Sequence, residues 1–414
     1  MVFGFLLAGA LIGYLIFSGL SGVIGISASP SPTPTATSTP VETSSTSTPI
    51  ITPSPETPAA SPSATPTPYP RPARMASPEY GMQAFLWWRP EVGWRDLDLI
   101  RDAGFGWVKQ IFAWRDIEGA GKGAYDWSRT DRIVHDARER GLNLLVTVFN
   151  APDWVGVGYP GGGPGRHNGY RDFADFLSSL STRYRGQVRA YAIWNEPNLS
   201  REWGNNPPNP AEYVALLHVA YQAIKAADPG ALVISAGLSP TGTFDATAMP
   251  DDAFLRRMYE AGAKPYFNVL GLHAPGYKAP PEMSPDEVAD RPEYGGQRFF
   301  AFRHVEDMRR IMEEFGDGAK QVAILEFGWT SDPRPDSPYY WHAVSEETKA
   351  DYLVRAYQFA QANWAPWIGL MSLIYITDAD WTPDDEQYWW AITDPGYPQT
   401  QVRPAYERLK AMPK

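Results

Sequence analysis

Eight short apolar runs alternate with amphipathic segments along most of this chain, and this alternation constrains the fold more than any other feature. The runs lie at 82–87, 107–112, 144–149, 190–194, 232–235, 269–272, 322–325 and 370–376. Because parallel strands are joined by helical crossovers, eight strand and helix units predict an α/β fold, a (β/α)8 TIM barrel with enlarged loops. A doubly wound open sheet is the alternative, but no glycine-rich phosphate loop follows the first run.

Two of the segments between the runs have a regular helical period. Apolar residues recur at helical spacing over 173–184 and again over 213–224. The second helix has a well-formed start, in which Asn209 is the predicted N-cap, Pro210 lies in the first turn and Glu212 is placed for a capping box. Both segments therefore fit the helical layer that surrounds a barrel.

The first 26 residues are apolar and carry no charge. A segment of roughly 20 apolar residues is long enough to cross a bilayer. We expect residues 1–26 to be an uncleaved transmembrane anchor, because the only site that resembles a cleavage site, Ile26-Ser27-Ala28, is poor. A signal segment that is removed is the alternative.

Residues 27–78 are rich in Ser, Thr, Pro and Ala. Such a tract buries too little apolar surface to offset the entropy of ordering, so we predict a disordered stalk. Residues 79–414 then form the barrel domain. The anchor and the stalk together predict an extracytoplasmic, membrane-anchored protein, with secretion after signal cleavage as the alternative.

Composition excludes several classes of partner and chemistry. The net charge of −11 argues against nucleic acid or an anionic lipid surface, because both require clustered Lys and Arg. The absence of cysteine excludes disulfides and thiolate chemistry. The six histidines are scattered, so we expect neither a metal nor a cofactor. Membrane contact is expected through the N-terminal segment only, and the catalytic domain is expected to be monomeric.

The residues that follow the predicted strands are mainly aromatic rings, amides and glutamates. On a barrel these positions converge at one mouth, where catalytic residues lie. Aromatic rings stack on the C–H faces of sugars, and amides and carboxylates bond sugar hydroxyls. The pattern predicts a site for a polyhydroxylated ring, built from Trp87, Asn150, Asn195, Glu196, His273, Tyr277, Glu326, Trp329 and Trp381.

Two glutamates in this set have the positions of a catalytic pair. Glu196 follows the fourth predicted strand and Glu326 follows the seventh. Two carboxyl groups across a glycosidic bond can act as general acid and as nucleophile. A separation of about 5 to 5.5 Å gives retention of configuration, whereas about 6.5 to 9.5 Å leaves room for a water and gives inversion.

The motifs around both glutamates resemble those of a known group. Trp194-Asn195-Glu196-Pro197-Asn198-Leu199 resembles the acid/base motif of clan A retaining glycoside hydrolases, and is most similar to family 39 and its relatives. Glu326-Phe327-Gly328-Trp329-Thr330 resembles the nucleophile motif of the same clan, and the segments 391–395 and 403–406 are similar to those that close these barrels.

The resemblance implies a role for each matching residue. Glu196 is the implied acid/base and Glu326 the implied nucleophile, while Asn195 bonds the 2-hydroxyl of the sugar next to the scissile bond. His273 or Tyr277, after the sixth strand, is implied to hold Glu326. Trp381 is the implied sugar platform, and Trp329, Trp389 and Trp390 are weaker candidates for the same role.

The sequence therefore predicts an extracytoplasmic retaining glycoside hydrolase. Its expected substrate is a polysaccharide or oligosaccharide with β-glycosidic bonds, cleaved by double displacement. The alternative is a non-catalytic carbohydrate-binding envelope protein on the same barrel. The two glutamates disfavour this alternative, because a binding protein needs neither an acid nor a nucleophile.

Overall fold

The computed structural model describes residues 73–160 and 170–414. The predicted anchor at 1–26 and most of the predicted stalk at 27–78 lie outside these described residues. Within the two described ranges, no helix is both long and apolar enough to cross a bilayer.

Eight parallel strands close into a barrel in chain order, with the last strand paired to the first. The predicted (β/α)8 barrel is confirmed, and every predicted apolar run overlaps a strand. The strands are β1 Glu79–Gln83, β2 Trp107–Ala113, β3 Asn143–Phe149, β4 Ala190–Ile193, β5 Leu232–Ile234, β6 Val269–His273, β7 Gln321–Phe327 and β8 Ile368–Leu373.

Helices follow the strands and pack their apolar faces against the outside of the barrel, in one large buried cluster. Their bounds are α1 Pro90–Asp102, α2 Trp114–Ile117, α3 Ser128–Glu139, α4 Arg171–Arg183, α5 Pro210–Ala227, α6 Asp251–Glu260, α7 Pro285–Ala289, α8 Val305–Glu314, α9 Glu346–Asn363, α10 Glu386–Trp390 and α11 Pro404–Ala411. The two helical periods found in the sequence correspond to α4 and α5.

The first strand lies earlier in the chain than the sequence predicted. The prediction placed it at 82–87, whereas β1 ends at Gln83. The backbone N–H of Leu86 donates to the side chain of Gln110 at 2.7 Å, and its carbonyl accepts from Arg132 at 2.7 Å. Side chains thus replace the backbone ladder here, and the run is apolar because it is buried, not because it is a strand.

The start of α5 confirms half of the predicted capping box. The side chain of Asn209 accepts from the backbone N–H of Glu212 at 3.2 Å, as an N-cap does. Glu212 directs its carboxylate to the hydroxyl of Tyr170, at 2.8 Å, so the cap is single instead of reciprocal.

The amino-terminal end of the barrel is closed by the residues that precede β1. Met75 joins the apolar cluster inside the barrel, and its backbone N–H donates to the side chain of Gln321 at 2.9 Å. Arg74 donates to the carbonyls of Ala319 and Pro366, just before β7 and β8. Substrate access is therefore left to the opposite end, where the strands finish.

Candidate active site

Glu326 reaches the interior of the barrel because the end of β7 is irregular. Leu325 belongs to the cluster inside the barrel, so strict alternation along the strand would send Glu326 outward. The pairing with β6 shifts at this level, and His273 lies opposite Glu326. A shift of this kind reverses the alternation, as β-bulges do, and turns the carboxylate toward the mouth.

Lys109 on β2 binds this carboxylate across the barrel. Its ammonium lies 2.6 Å from Oε1 of Glu326, and the lysine side chain is only 2% exposed. A charge-assisted hydrogen bond at this distance in a dry site stabilises the anionic form of Glu326. Lys109 was not predicted as a site residue, although a lysine within a buried strand was a visible signal.

Glu196 lies three residues beyond the end of β4 in a strained backbone. Trp194 and Glu196 have φ values of 71° and 39°, in the left-handed region that side chains disfavour, at a cost of about 1 to 3 kcal/mol each. The bend is held by bonds from Trp194 N to Val148 O at 2.9 Å and from Glu196 N to Gly237 O at 3.1 Å. Together they direct the Glu196 carboxylate into the mouth.

His273 lies between the two glutamates. Its Nδ1 is 3.0 Å from Oε1 of Glu196 and 3.8 Å from Oε2 of Glu326. These two contacts keep the two carboxyl oxygens less than about 7 Å apart. The ring lies so close to Gly237 that a Cβ there would be 2.2 Å from it, so glycine is required at that position.

The three side chains line one pocket at the barrel mouth. Its wall combines carboxylates, a hydroxyl, two rings and apolar groups, as expected of a site for a polar ring. The lining residues are Glu196, Ser239, Pro240, His273, Pro275, Tyr277, Glu326 and Ile374.

Hydrogen bonds hold Glu196 in its ionised form. Burial opposes ionisation, but the hydrogen bond and the charge of His273, followed by the charge of Arg201, outweigh it, so the pKa of Glu196 lies below its ordinary value. Because a carboxylate only accepts, the proton of this bond lies on Nδ1 of His273.

A short 3-10 helix, Ser200–Glu202, brings two further charges to Glu196. Nη2 of Arg201 donates to Oε2 of Glu196 at 3.0 Å, and Nε of Arg201 lies 3.5 Å from Oε1 of Glu202. Burial, followed by the charge of Glu196, raises the pKa of Glu202 to about 7. Neither Arg201 nor Glu202 was predicted from the sequence, since no pattern marks which charged side chains of a loop turn inward.

The two asparagines of the motif have different environments. Asn195 is 8% exposed, and its side chain bonds the carboxylate of Glu202. The Asn198 amide donates to the carbonyls of Ser239 at 2.8 Å and Met249 at 3.0 Å. Asn198 thereby ties the loop after β4 to the loop after β5, which carries part of the pocket wall.

Of the two rings proposed to hold Glu326, His273 is the one that approaches it. Tyr277 lines the same pocket, but its hydroxyl donates to the carbonyl of Pro240 at 3.4 Å. Its φ of 49° is strained in the same sense as that of Glu196. Both residues thus belong to the site, in different positions.

Two of the predicted sugar contacts are corrected by their burial. Trp329 is fully buried, donates to the carbonyl of Ala279 at 3.1 Å and presses its ring against Gly276. Trp87 is 5% exposed and packs edge-on to Phe112. Neither indole has a free face for a sugar, because each is turned into the core instead of the mouth.

The remaining two predicted contacts lie at the rim. Trp381 is half-buried against Phe85 and Tyr375, with ring centroids 4.8 and 5.3 Å away. Asn150 directly follows β3 with a φ of 59°, and its carbonyl accepts from the backbone N–H of Arg115 at 2.9 Å. Neither residue lines the central pocket. In the part of the chain that is described, no three His, Asp or Glu side chains are grouped so as to hold a metal.

One known protein family matches the part of the chain that contains Glu196. Residues 73–261 match the family described as cellulase, glycosyl hydrolase family 5. This segment contains Glu196 and its motif. A comparison with curated proteins gave no match.

Solved structures share the fold at low sequence identity. A family 39 glycoside hydrolase from Bacteroides cellulosilyticus matches with a TM-score of 0.59 and 18% identity, over 83% of this chain and 63% of that one. A xylanase from Thermotoga petrophila matches with a TM-score of 0.53 and 15% identity, over 82% of this chain and 94% of that one. An exo-β-1,4-mannosidase from an Opitutaceae bacterium matches with a TM-score of 0.53 and 16% identity, over 81% of this chain and 58% of that one.

The chain therefore spans less than two thirds of the family 39 enzyme and of the mannosidase. The matched family and the shared barrel agree with the resemblance found in the sequence at the level of the clan. The barrel of this chain is therefore the fold of clan A glycoside hydrolases, and residues 73–261 match a family of that clan.

Proposed function

We propose that this protein cleaves β-glycosidic bonds of a polysaccharide or oligosaccharide with retention of configuration. Glu326 is the nucleophile and Glu196 the acid/base. The observation that carries the proposal is the placement of both carboxylates around a single nitrogen, Nδ1 of His273, at 3.0 and 3.8 Å. The resulting limit on their separation favours the shorter spacing of retaining enzymes.

The reaction proceeds in two displacements. In the first, Glu196, which is an anion at rest, takes up a proton from solvent and gives it to the leaving oxygen while Glu326 attacks the anomeric carbon. This forms a glycosyl ester and frees the alcohol. In the second, ionised Glu196 takes a proton from water, whose oxygen attacks the anomeric carbon and releases Glu326. Lys109 suits this scheme, because it stabilises Glu326 as the anion before attack and after release.

The class of substrate follows from the polar pocket and from the similar proteins. The matched family is described as cellulase, and the similar structures include a xylanase and an exo-β-1,4-mannosidase. The name of the mannosidase specifies a β-1,4 bond. A β-linked glycan is therefore the class we propose for this chain.

The location outside the cytoplasm is also a proposal. It rests on the uncharged apolar segment at 1–26 and the Ser, Thr and Pro-rich segment at 27–78. We propose that the first anchors the protein in a membrane and that the second separates it from the barrel.

The decisive experiment is to follow the anomeric configuration of the first product by NMR. The purified protein is screened against aryl β-glycosides, and the active substrate is hydrolysed in the spectrometer before mutarotation. The expected first product is the β-anomer. An α-anomer as the first product would show inversion instead of retention. Hydrolysis that persists in both Glu196→Gln and Glu326→Gln would show that these two residues are not catalytic.

A further inference from the structure

We propose that three aromatic rings beside the pocket bind the part of a β-linked glycan chain that extends beyond the catalytic site. The rings are Trp341, Phe300 and Phe299, which together we call the ring surface. The inference rests on the proposed function and extends it, because it makes a chain of several sugars the substrate instead of a single glycoside.

The ring surface is continuous with the pocket through Tyr277. This residue lines the pocket, and its ring lies nearly parallel to that of Trp341, with 6.3 Å between centroids and 24° between planes. Phe300 packs edge-on against both, with its centroid 4.7 Å from that of Tyr277 and 4.9 Å from that of Trp341. Phe299 follows, 4.2 Å from Phe300. A row of rings therefore leads outward from the pocket wall.

The course of the chain places these rings at the barrel mouth. Phe299 and Phe300 lie between β6 and α8, and Trp341 lies between β7 and α9. Segments that follow the strands of a barrel gather at its carboxyl end, where substrates bind. The same two strands carry His273 and Glu326. The ring surface and the catalytic pocket thus share β6 and β7 as their support.

Exposure to solvent increases along this row of rings. Tyr277 is 3% exposed, whereas the three members of the ring surface are only half-buried. Next to Trp341, on the short 3-10 helix Tyr340–His342, the ring of Tyr340 is 50% exposed. Grouped apolar side chains that face water beside a pocket are typical of a ligand-binding groove.

The backbone holds the rings in fixed places. Phe300 ends the 3-10 helix Arg298–Phe300, whose arginine donates to both carboxylate oxygens of Asp307, at 3.2 and 2.8 Å. Gly295 has a φ of 94°, and a Cβ there would lie 2.5 Å from Phe300 and 3.0 Å from Trp341. Side chains that are already fixed lose little conformational entropy when a ligand covers them.

A glycan chain is the ligand that this position indicates. A sugar unit bound beside Glu196 and Glu326 continues into its neighbour across the rim of the pocket, and Tyr277 and Trp341 form one side of that rim. Aromatic rings stack on the apolar C–H faces of sugars. Contacts with remote units of a chain can also be used to lower the barrier at the reacting bond. The ring surface therefore favours a chain over a single glycoside.

The first experiment measures binding and requires no turnover. The purified full chain is run in native gels that contain hydroxyethyl cellulose, xylan or glucomannan, and retardation relative to a polymer-free gel gives the affinity. At least one of these β-linked polymers is expected to retard the natural protein. Trp341→Ala and Phe300→Ala are each expected to weaken that affinity by about 3-fold to 10-fold, because one stacking ring is lost. Trp341→Tyr keeps a flat ring and should lose less.

Trp94→Ala is the matched control for Trp341→Ala. Trp94 is 45% exposed, but it lies on α1 in the helical layer and donates to Asp136 of α3 at 2.9 Å. Its removal is expected to leave the retardation unchanged. Circular dichroism and thermal unfolding show whether each variant is folded.

The second experiment compares substrates of different length. The kcat/KM for a hexasaccharide of the polymer that binds is divided by the kcat/KM for an activated aryl β-glycoside. This ratio is expected to fall by about 3-fold to 10-fold in Trp341→Ala, since only the longer substrate reaches the ring surface. The ratio should stay constant in Trp94→Ala.

The outcomes separate the ring surface from the proposed hydrolysis. Absence of retardation by all three polymers overturns the ring surface, and so does equal retardation of the natural protein and Trp341→Ala. A natural dimer that becomes a monomer in Trp341→Ala would assign the rings to a second copy of the chain and would also overturn it. If a polymer binds through the rings and no glycoside is hydrolysed, the proposed hydrolysis fails and the ring surface stands.

Discussion

The ammonium of Lys109 and the carboxylate of Glu326 face each other across the barrel at 2.6 Å, from the second and seventh strands. This pair joins strands that are not neighbours in the sheet. Each charge therefore depends on the other for its burial, because the rest of the layer below them is apolar.

Lys109→Met is expected to reduce kcat/KM by about 100-fold or more, because an electrostatic partner of the proposed nucleophile is lost. It is also expected to lower the free energy of unfolding by about 3 to 5 kcal/mol, since Glu326 is left buried and unpaired. Denaturant unfolding and steady-state kinetics measure the two effects. Lys109→Arg, which keeps the charge, should recover much of both, and a fully active Lys109→Met would show that the pair is only structural.

Glu326→Gln is expected to lower turnover by several orders of magnitude for every substrate, because an amide does not form the glycosyl ester. The folded barrel should remain, since glutamine has nearly the shape of glutamate. The measurement is kcat on an activated aryl β-glycoside, with circular dichroism as the control for folding. Residual activity near that of the natural protein would remove Glu326 from the mechanism.

The loss of kcat/KM in Glu196→Gln is expected to depend on the leaving group of the substrate. General acid catalysis contributes about 100-fold to 10,000-fold, so glycosides with poor leaving groups should lose about this factor. Glycosides with good leaving groups need little protonation and should form the glycosyl ester at a nearly normal rate. Comparing kcat/KM across aryl substituents tests this, and an equal loss for all substituents would contradict an acid role.

Trp329→Ala is expected to affect stability far more than substrate binding. The indole is fully buried, so its removal leaves a cavity and costs about 3 to 5 kcal/mol of unfolding free energy. Thermal and denaturant unfolding measure the loss. A variant of natural stability with a greatly raised KM would restore the sugar-platform role that the structure removes.

His342 is expected to make stability depend on pH. Burial lowers the pKa of this ring to about 3, and both of its nitrogens lack hydrogen-bond partners. The unfolded chain takes up the proton near pH 6.5, so the free energy of unfolding falls as the pH drops from about 6.5 to about 3. The difference in unfolding free energy between the natural protein and His342→Phe should shrink along this interval. A constant difference would show that His342 is not a source of the pH dependence.

The strands and the placement of the two glutamates at one mouth were predictable from the sequence. Buried parallel strands are apolar on both faces, and their carboxyl ends meet at one mouth, so Glu196 and Glu326 could be assigned to it together. The first strand was misplaced, because Leu86 is buried without being in the sheet.

The partners of the pair could not be predicted in the same way. Lys109 meets Glu326 across the barrel, and Arg201 meets Glu196 through a turn of 3-10 helix, so both contacts depend on three-dimensional placement. The direction of an indole beyond a strand end is equally invisible in the sequence. This is why Trp87 and Trp329 were expected in the mouth and lie in the core.

The closure of the barrel by Met75 and Arg74 determines how the domain is held. Residues 74 and 75 lie at the amino-terminal end of the barrel, whereas Glu196 and Glu326 line the pocket at the mouth, the opposite end. Any segment that joins the domain at residue 73 is therefore attached at the end of the barrel opposite the mouth. The mouth then faces away from the point of attachment, and a long glycan can approach without passing this segment.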